Sequence, residues 1–387
     1  MIATFNVGSS SLKFSLFVLT ETGGFQDCIL RGAVRDLHGD RTVDLEPSDE
    51  SDALREAILG VVDTSALIQT ITQFLIDWRE DHSLAAIGHR IVHGGAYYDG
   101  PTIAGDEDLT RLDALSVFAP AHQPHNLAGV RALKQSMPNI PQTLSFDTAF
   151  HRTMPRIAEL YALPRNLSEE GLLRFGFHGL SYAHIAETIP TIRDEMPSRL
   201  VALHLGSGAS ACAMQDGESI ATSMGLTALD GLPMATRCGD LDPGVVLHLI
   251  QDRGMTPDAV AELLYKKSGL LGVSGLSSDT RALLQDRTGP ANEAIDLYCY
   301  RIAREVGSLA VALGGLDAIV FSGGVGENAP TIRARIIAHL SWLGVSINQD
   351  ANRSNRVALS PSYTSVPVYC ITADEERIIA RECTSLI

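Results

Sequence analysis

The chain has 387 residues, of which 45% are hydrophobic and 20% are charged, with 34 glycines and 17 prolines. This average composition excludes disordered, collagen-like and coiled-coil proteins, and the length suits two domains of ordinary size. Lysine and arginine total 30 against 46 aspartate and glutamate residues, a formal charge of -16 that disfavours binding to nucleic acid or an anionic membrane.

Strand and helix signals alternate along the chain, which indicates an α/β fold. The first two strands are predicted at residues 2–6 and 12–18, on either side of the polar loop GSSS. Helical periodicity follows at residues 54–62 and 67–79, and LAAIGHRIVHGG contains another buried strand. A strand at residues 200–205 leads into GSGAS, so the opening pattern of strand, Gly-Ser loop and strand recurs. We infer a duplicated domain, with both polar loops facing a cleft between the copies.

The cellular setting and the domain boundary follow from simpler signals. A domain change is predicted near residues 147–155, where the strand TLSFDT gives way to HRTMP. Six cysteines without a CxxC pair indicate a reducing compartment, and the N-terminus lacks the pattern of a secretion signal. The longest apolar stretch, residues 307–325, contains Asp317 and several glycines and is too polar to span a membrane. A cytoplasmic protein is expected.

Two glycine-rich segments are candidate phosphate loops. The segment from Asn6 to Lys13 combines small residues, three hydroxyl groups and a lysine, which suits a bound phosphate. The GxxxxGK[ST] spacing of a Walker A loop is absent from the chain. In IVFSGGVGEN, a strand is followed by a predicted glycine-rich turn, and Pro330 suits the first turn of the next helix. Because GVGENA also matches the loose fingerprint GxGxxA, a dinucleotide-dependent oxidoreductase stays open at this point.

Charged residues near strand ends suggest a site for anions and a metal ion. Arg90 in GHRIVHGG and Arg237 in ATRCGDLDP lie among glycine, histidine and aspartate, where a guanidinium group can bind carboxylate or phosphate in a forked geometry. Asp147 and Glu375 each follow an apolar run, as carboxylates that handle Mg²⁺ do in α/β folds, although helix capping would also explain Asp374 and Glu375. The twelve histidines show no HExxH motif and no pair beside cysteines, so a histidine-ligated zinc site is not expected.

Ten ordered motifs together resemble those of the acetate kinase family. They run from Asn6 to Arg381, and in chain order they are FNVGSSSLKF, GHRIVHGG, APAHQP, FDTAFH, FGFHGLS, HLGSG, TRCGDLDP, SSDTR, GGVGEN and ADEE. The resemblance implies the duplicated actin-like (ribonuclease H-like) α/β fold, with an active-site cleft between one domain at 1–148 plus 373–387 and another at 149–372. It also implies reversible phosphoryl transfer from ATP to acetate, giving acetyl phosphate and ADP, with Mg²⁺ or alternatively Mn²⁺, in a cytoplasmic homodimer.

The same resemblance assigns roles to individual residues. Catalytic roles go to Asp147, His178 and Arg237, and metal binding to Asn6 and Glu375. Substrate binding is assigned to Arg90, Val92, His122 and Phe177. Nucleotide binding is assigned to Lys13, His204, Leu205, Gly206, Ser207, Gly208, Asp279, Thr280, Arg281, Gly324, Val325, Gly326, Glu327 and Asn328. A carboxylic acid with a pKa of about 4 is already ionised at neutral pH. Asp147 is therefore expected to orient Mg²⁺-bound water or an arginine rather than to abstract a proton.

Three departures from the family pattern leave alternatives open. Ser207 replaces the asparagine of the family's HLGNG, so pyrophosphate or another nucleotide is an alternative phosphate donor. Ala121 and Ala228 replace the leucine of LHNP and the proline of TPLEGL, which should enlarge the acyl pocket and favour propionate or butyrate.

An ATP-driven conformational switch like actin or the heat-shock chaperones is the alternative from another class, but it leaves Arg90 and the pair of His178 and Arg237 without a role.

Overall fold

The computed structural model describes residues 1–8, 11–20, 24–37, 39–47, 52–61, 63–78 and 83–387. The chain divides into two compact units: unit 1 comprises Met1–Phe150 with Asp374–Ile387, and unit 2 comprises His151–Ala373. Ser9 and Ser10 of the predicted phosphate loop, and Val62 and Arg79 at the ends of predicted helices, lie outside the described residues. Among the described helices, none combines the length and apolar character required to cross a bilayer.

Each unit is built on one β-sheet. In unit 1 the strand order is β4-β3-β2-β1-β5-β7-β6, and in unit 2 it is β10-β9-β8-β11-β12. The strands are β1 Ile2–Val7, β2 Ser11–Leu19, β3 Phe25–Arg35, β4 Thr42–Glu46, β5 Ala86–Ile91, β6 Thr102–Ile103, β7 Gln142–Phe146, β8 Arg199–Leu205, β9 Ala209–Gln215, β10 Glu218–Thr222, β11 Ala318–Ser322 and β12 Val368–Cys370.

Helices connect and cover these strands. The α-helices are α1 Asp52–Leu59, α2 Thr64–Trp78, α3 Asp106–Ala114, α4 Gln123–Ser136, α5 Arg156–Glu159, α6 Arg165–Glu169, α7 Gly179–Arg193, α8 Pro243–Gln251, α9 Pro257–Lys266, α10 Gly269–Ser274, α11 Thr280–Asp286, α12 Gly289–Leu313, α13 Gly323–Asn328, α14 Pro330–His339, α15 Gln349–Arg353 and α16 Glu375–Thr384. Short 3₁₀ helices lie at Leu115–Val117, Ala149–Thr153 and Ser341–Leu343.

Five strands of the unit 1 sheet, β3-β2-β1-β5-β7, have the same order as the whole sheet of unit 2, which confirms the duplication predicted from the repeated hairpins. In unit 1, β1, β2 and β3 form an antiparallel meander, and β5 and β7 continue the sheet parallel to β1. In unit 2, β8, β9 and β10 form the same meander, and β11 and β12 continue parallel to β8. Strand β11 is buried throughout and reads AIVFS, the continuous apolar run typical of a parallel strand covered on both faces.

The alternation of side chains along β1 decides where its polar residue points. Phe5 belongs to the core cluster that also contains Ile71 of α2, while Ile2 packs with Ala380 of α16 on the opposite face. Successive strand residues face opposite sides of a sheet, so Asn6 shares the α16 face with Ile2. The first strand therefore presents an amide to the first turn of the last helix.

Most predicted elements are present, with one correction. The strands at 2–6, 12–18 and 200–205 correspond to β1, β2 and β8, and the helical patterns that begin at 54 and 67 fall in α1 and α2. The prediction of a turn at GGVGEN was wrong, because these residues form α13. Gly323 begins this helix with φ of 77°, and a Cβ there would lie 2.7 Å from the carbonyl oxygen of Leu205. Glycine therefore serves here as a tight strand-to-helix junction.

A substitution at the contact between β5 and α16 tests this packing. A Cβ on Gly88 would lie 2.5 Å from Cγ2 of Ile379, a branched side chain that cannot easily move away. We expect Gly88→Ala to lower the free energy of unfolding by about 1–3 kcal/mol, as overpacking of cores usually does, measured by urea denaturation. Gly100→Ala is the control, because nothing lies within 4 Å of its added Cβ. Equal stability of the two variants would contradict the packing of α16 on β5.

Candidate active site

In unit 1, the site begins with an arginine and an aspartate at the carboxyl ends of neighbouring parallel strands. Arg90 lies near the end of β5 and Asp147 directly follows β7. Nε and Nη2 of Arg90 donate to the two carboxylate oxygens of Asp147 at 2.9 and 2.5 Å. The exposed side-chain fraction is 14% for Arg90 and 1% for Asp147, so this is a largely buried, bidentate ion pair.

Asn6 joins this pair to the start of the C-terminal helix. Its Oδ1 accepts a hydrogen bond from Nη1 of Arg90 at 2.9 Å, and its Nδ2 donates to Glu375 at 2.8 Å and to Glu376 at 3.3 Å. Asp374 caps α16, since its side chain accepts from the backbone N–H of Arg377. Capping therefore explains Asp374, whereas Glu375 is a buried member of the Asn6 cluster.

The electrostatics of this cluster favour the charged arginine. Burial lowers the pKa of Arg90, but the attraction of Asp147 and Glu375 outweighs burial, so the pKa is raised overall. For Glu376, burial and the charge of Glu375 raise the pKa of the carboxyl group, and Lys13 opposes this. The three acidic groups of Asp147, Glu375 and Glu376 thus face only two nearby cations, Arg90 and Lys13. The cluster can therefore accept further positive charge.

Whether the cluster suits Mg²⁺ depends on its oxygen ligands. Asn6 and Glu375 supply an amide and a carboxylate, the oxygen ligands that this ion prefers. Within the described part of the chain, no three acidic, histidine or cysteine side chains come together as a complete metal cage. Mg²⁺ ordinarily keeps several waters and takes one or two carboxylates together with substrate phosphates, so this incomplete oxygen set fits an ion delivered with a nucleotide.

The backbone beside Arg90 is fixed by two buried amide side chains of α4. Oδ1 of Asn126 accepts from the N–H of Val92 at 3.1 Å, and Oε1 of Gln123 accepts from the N–H of His93 at 3.1 Å. His122 is the residue before α4, and it is half-buried. The predicted substrate residues Val92 and His122 therefore lie on segments joined through α4. The sequence analysis did not identify Gln123 and Asn126 as residues that fix this backbone, although the polar segment QPHN at the start of α4 is a usable signal.

Lys13 belongs to the same hairpin as Asn6. The two residues are paired across β1 and β2 in the antiparallel register, and the Lys13 side chain is exposed. Its charge acts on the carboxyl group of Glu376. The predicted nucleotide residue Lys13 is thus placed in unit 1, beside the acidic cluster.

In unit 2, His178 and His204 form the centre of the second group of predicted residues. Their rings stack with centroids 4.3 Å apart and planes inclined by 20°. His178 precedes α7 in a left-handed conformation, with φ of 58° and ψ of 26°, and its Nδ1 lies 2.8 Å from Oγ of Ser210. Nδ1 of His204 lies 2.8 Å from Oγ of Ser181. Phe177, by contrast, is a buried core residue.

The β8–β9 turn contains a glycine that leaves room beside both His178 and Arg237. A Cβ on Gly208 would lie 3.3 Å from Nε2 of His178 and 3.8 Å from Nη1 of Arg237. These two groups therefore border one small space above the turn. Gly206 and Ser207 precede it, with the Gly206 N–H donating to the Gly208 carbonyl at 2.9 Å, and the Ser207 side chain is exposed.

Arg237 is a half-buried cation without a carboxylate partner among the residues that the structure describes. Its Nη1 donates to the carbonyl oxygen of Ala228 at 3.1 Å and lies 3.6 Å from Sδ of Met234. Burial lowers the pKa of Arg237, and Tyr265 only partly opposes this. A desolvated guanidinium group with spare N–H donors is well suited to bind an anion.

The predicted nucleotide segment Gly324, Val325, Gly326, Glu327 and Asn328 forms most of α13. Asn328 closes its last turn, with Nδ2 donating to the Gly324 carbonyl at 3.0 Å. Leu205 packs beneath it, since a Cβ on Gly326 would lie 3.7 Å from Cβ of Leu205. Glu327 accepts a hydrogen bond from the backbone of Ala373 at 2.9 Å.

Arg333 is a residue of this region that the sequence analysis missed. It is fully buried, and its Nη1 donates to the carbonyl oxygens of Gly326 and Glu327 at 2.7 and 2.8 Å. Its other nitrogens donate to Asn352 and Asn355. Burial lowers its pKa, and within the described residues no carboxylate offsets this. An arginine inside a helical pattern gives no sequence signal that it will be buried.

Asp279, Thr280 and Arg281 lie at the start of α11. Asp279 caps this helix by accepting from the Arg281 N–H at 2.8 Å, and it pairs with the Arg281 side chain at 2.9 Å. The exposed side-chain fractions are 43% for Asp279 and 81% for Arg281, so the ion pair is a surface feature, while Thr280 is buried. The structure thus places this predicted nucleotide segment on a helix terminus of unit 2 whose charged groups are open to solvent.

Known proteins resemble this chain over nearly its whole length. Residues 1–381 match the model of the acetokinase family. The acetate kinase of Rhodopseudomonas palustris strain CGA009 is 46% identical over 98% of this chain and 97% of that protein. The crystal structure of a propionate kinase from Francisella tularensis is 32% identical with a TM-score of 0.88, and that of Porphyromonas gingivalis acetate kinase is 32% identical with a TM-score of 0.84. Both alignments cover 100% of this chain and 99% of the other. This chain belongs to the acetokinase family.

Proposed function

We propose that this protein catalyses reversible, Mg²⁺-dependent phosphoryl transfer from ATP to acetate, giving acetyl phosphate and ADP. The observation that carries the proposal is Arg237, a half-buried guanidinium group without a carboxylate partner in the described chain, beside His178 and a glycine that leaves space for a ligand. Membership of the acetokinase family supports the same reaction. A dinucleotide-dependent oxidoreductase, suggested only by GVGENA, has no comparable support.

Arg90 is proposed to bind the carboxylate of acetate. Three of its five N–H donors are used by Asp147 and Asn6, and two are left for a substrate oxygen. The Asp147 carboxylate accepts two of those bonds and holds the guanidinium group in place. Because acetate is ionised at neutral pH, it needs alignment and charge compensation rather than a general base.

Arg237 and His178 are proposed to stabilise the phosphoryl group during transfer. The transferred group carries negative charge on three equatorial oxygens, and fixed donors aimed at those oxygens lower the barrier. Asn6 and Glu375 would hold Mg²⁺, which neutralises charge on the nucleotide phosphates when it is bound. His204 to Gly208, Asp279 to Arg281 and α13 are proposed to bind the nucleotide.

The apolar helix α8 supports the further proposal of a homodimer. Its sequence PGVVLHLIQ is almost entirely apolar, yet none of its residues is buried in the single chain. Val245 is 38% exposed and Leu247 is 54% exposed. A contiguous exposed apolar surface usually marks an interaction site, and we propose that a second copy of the chain covers it.

The proposed reaction is tested by trapping acyl phosphate as hydroxamate, with a panel of carboxylic acids and with ATP or pyrophosphate as donor. We expect acid-dependent product with ATP.

Arg237→Ala should lower kcat by about 10³-fold or more, as loss of a transition-state arginine does. Arg90→Ala should raise KM for acetate by about 10- to 100-fold, because the charged hydrogen bonds to the acetate carboxylate are lost. Arg335→Ala, which removes only a partly exposed pair with Asp296, is the control. ATP hydrolysis without an acid requirement would favour the conformational switch instead.

The acyl preference is a separate prediction, motivated by Ala121 and Ala228. If the space left by these small side chains is empty, each added methylene should raise kcat/KM by about fourfold, from roughly 0.8 kcal/mol per buried CH₂. Propionate and butyrate would then be preferred to acetate, and Ala121→Leu should restore the preference for acetate. A strong acetate preference of the unmodified protein would show that neighbouring side chains fill the space.

The homodimer is tested by analytical ultracentrifugation of the unmodified protein and of Leu247→Glu. We expect the unmodified protein to sediment as a dimer, and the charge placed on α8 to shift it toward monomer, because a buried unpaired carboxylate is costly. Val311→Glu is the control, since Val311 is 82% exposed and lies on another helix, α12. A monomeric unmodified protein, or an unchanged dimer in Leu247→Glu, would contradict the role of α8.

A further inference from the structure

Behind His178 lies a chain of two buried hydroxyl groups that the proposed reaction does not use directly. Oγ of Ser210 lies 2.8 Å from Nδ1 of His178 and 2.5 Å from the phenol oxygen of Tyr182. Both Ser210 and Tyr182 are fully buried. Three elements meet here, because His178 directly precedes α7, Tyr182 lies in the first turn of α7, and Ser210 lies on β9, opposite His204 of β8.

The direction of these hydrogen bonds follows from the donors available. Burial raises the pKa of Tyr182 well above its usual value, so the phenol keeps its proton. The backbone N–H of His204 donates to the phenol oxygen, and we assign the phenol proton to Oγ of Ser210, which lies 2.5 Å away. The hydroxyl proton of Ser210 is then directed to Nδ1 of His178. In this assignment both buried hydroxyl groups donate to an acceptor within hydrogen-bond distance, as buried polar groups require.

A histidine that accepts at Nδ1 carries its proton on Nε2. That nitrogen borders the space above Gly208, where Nη1 of Arg237 also lies. Resting on the proposed function, we propose that Tyr182 and Ser210 are positioning residues that hold His178 as the Nε2–H tautomer, so that a fixed N–H donor beside Arg237 meets the transferring phosphoryl group.

The geometry around the ring supports this role. His204 stacks on one face of His178 and fixes the plane of the ring, while the bond from Ser210 fixes its rotation in that plane. The backbone of His178 is in the left-handed region, which costs free energy for a residue other than glycine. The N–H of Tyr182 donates to the His178 carbonyl at 3.1 Å, so the same residue that begins the hydroxyl chain also holds the strained backbone.

Ring ¹⁵N NMR of the full-length protein with labelled histidine tests the tautomer directly, above the ordinary histidine pKa of about 6.5. His178→Gln identifies the signals of His178. We expect an unprotonated Nδ1 and a protonated Nε2 in the unmodified protein, and a mixture of tautomers in Ser210→Ala. A proton on Nδ1 in the unmodified protein overturns the proposal. This readout needs no turnover, so it stays informative even where acetyl phosphate formation fails.

Kinetics test the consequence for phosphoryl transfer. Tyr182→Phe keeps the ring and removes the hydroxyl group, and we expect it and Ser210→Ala each to lower kcat about tenfold, the effect of one hydrogen bond, with KM for ATP and acetate unchanged. Because both act through one chain, the double variant should lose little more than either single one.

Tyr298→Phe is the matched control. Tyr298 is a fully buried tyrosine of unit 2 whose hydroxyl group has no hydrogen-bond partner among the residues that the structure describes. Its kcat should equal that of the unmodified protein. Equal kcat in Tyr182→Phe and Tyr298→Phe, or a loss in Tyr182→Phe that appears only in KM, would overturn the proposed role. Complete absence of acyl phosphate from the unmodified protein would instead refute the proposed function.

Discussion

Burial of a guanidinium group without a matching carboxylate is the constraint around which unit 2 is organised. An isolated charge in a protein interior is costly, and its cost falls only when every donor finds an oxygen. Arg333 meets this requirement with backbone carbonyls of α13 and with two asparagines. Arg237 meets it only in part, through the carbonyl of Ala228. Arg333 therefore has a structural role, whereas Arg237 keeps donors that the proposed function assigns to an anion.

In unit 1, by contrast, the buried arginine has a carboxylate partner. Arg90 is neutralised by Asp147 and oriented by Asn6, and the acidic groups of α16 add to the negative potential. Such a network orients the guanidinium group in advance, and preorganised donors need little reorganisation when a reaction takes place. The excess of carboxylates is the reason that we propose a divalent cation for this unit rather than for unit 2.

The duplicated topology gives each unit comparable positions for its own candidate residues. In each unit the meander begins with a hairpin, and the turn of that hairpin adjoins functional candidates: Asn6 and Lys13 in one, and the segment from His204 to Gly208 in the other. The parallel strands end in Arg90 and Asp147 in unit 1 and in α13 in unit 2. Carboxyl ends of parallel strands are where α/β folds ordinarily bind their ligands. The functional contrast between the units therefore comes from side chains on a shared framework.

The sequence by itself determined the α/β class, the duplicated hairpins and the segments that carry the candidate site, because these depend on local periodicity and on short motifs. Only the tertiary structure decided which partner each charged group has. Arg90 and Asp147 are 57 positions apart, and Asn6 and Glu375 are 369 apart. The burial of Arg333 and the hydroxyl chain behind His178 likewise join distant segments, and no local pattern predicts such contacts. The charge state of a side chain and the direction of its hydrogen bonds depend on its neighbours in space. Those neighbours are known only once the chain has folded.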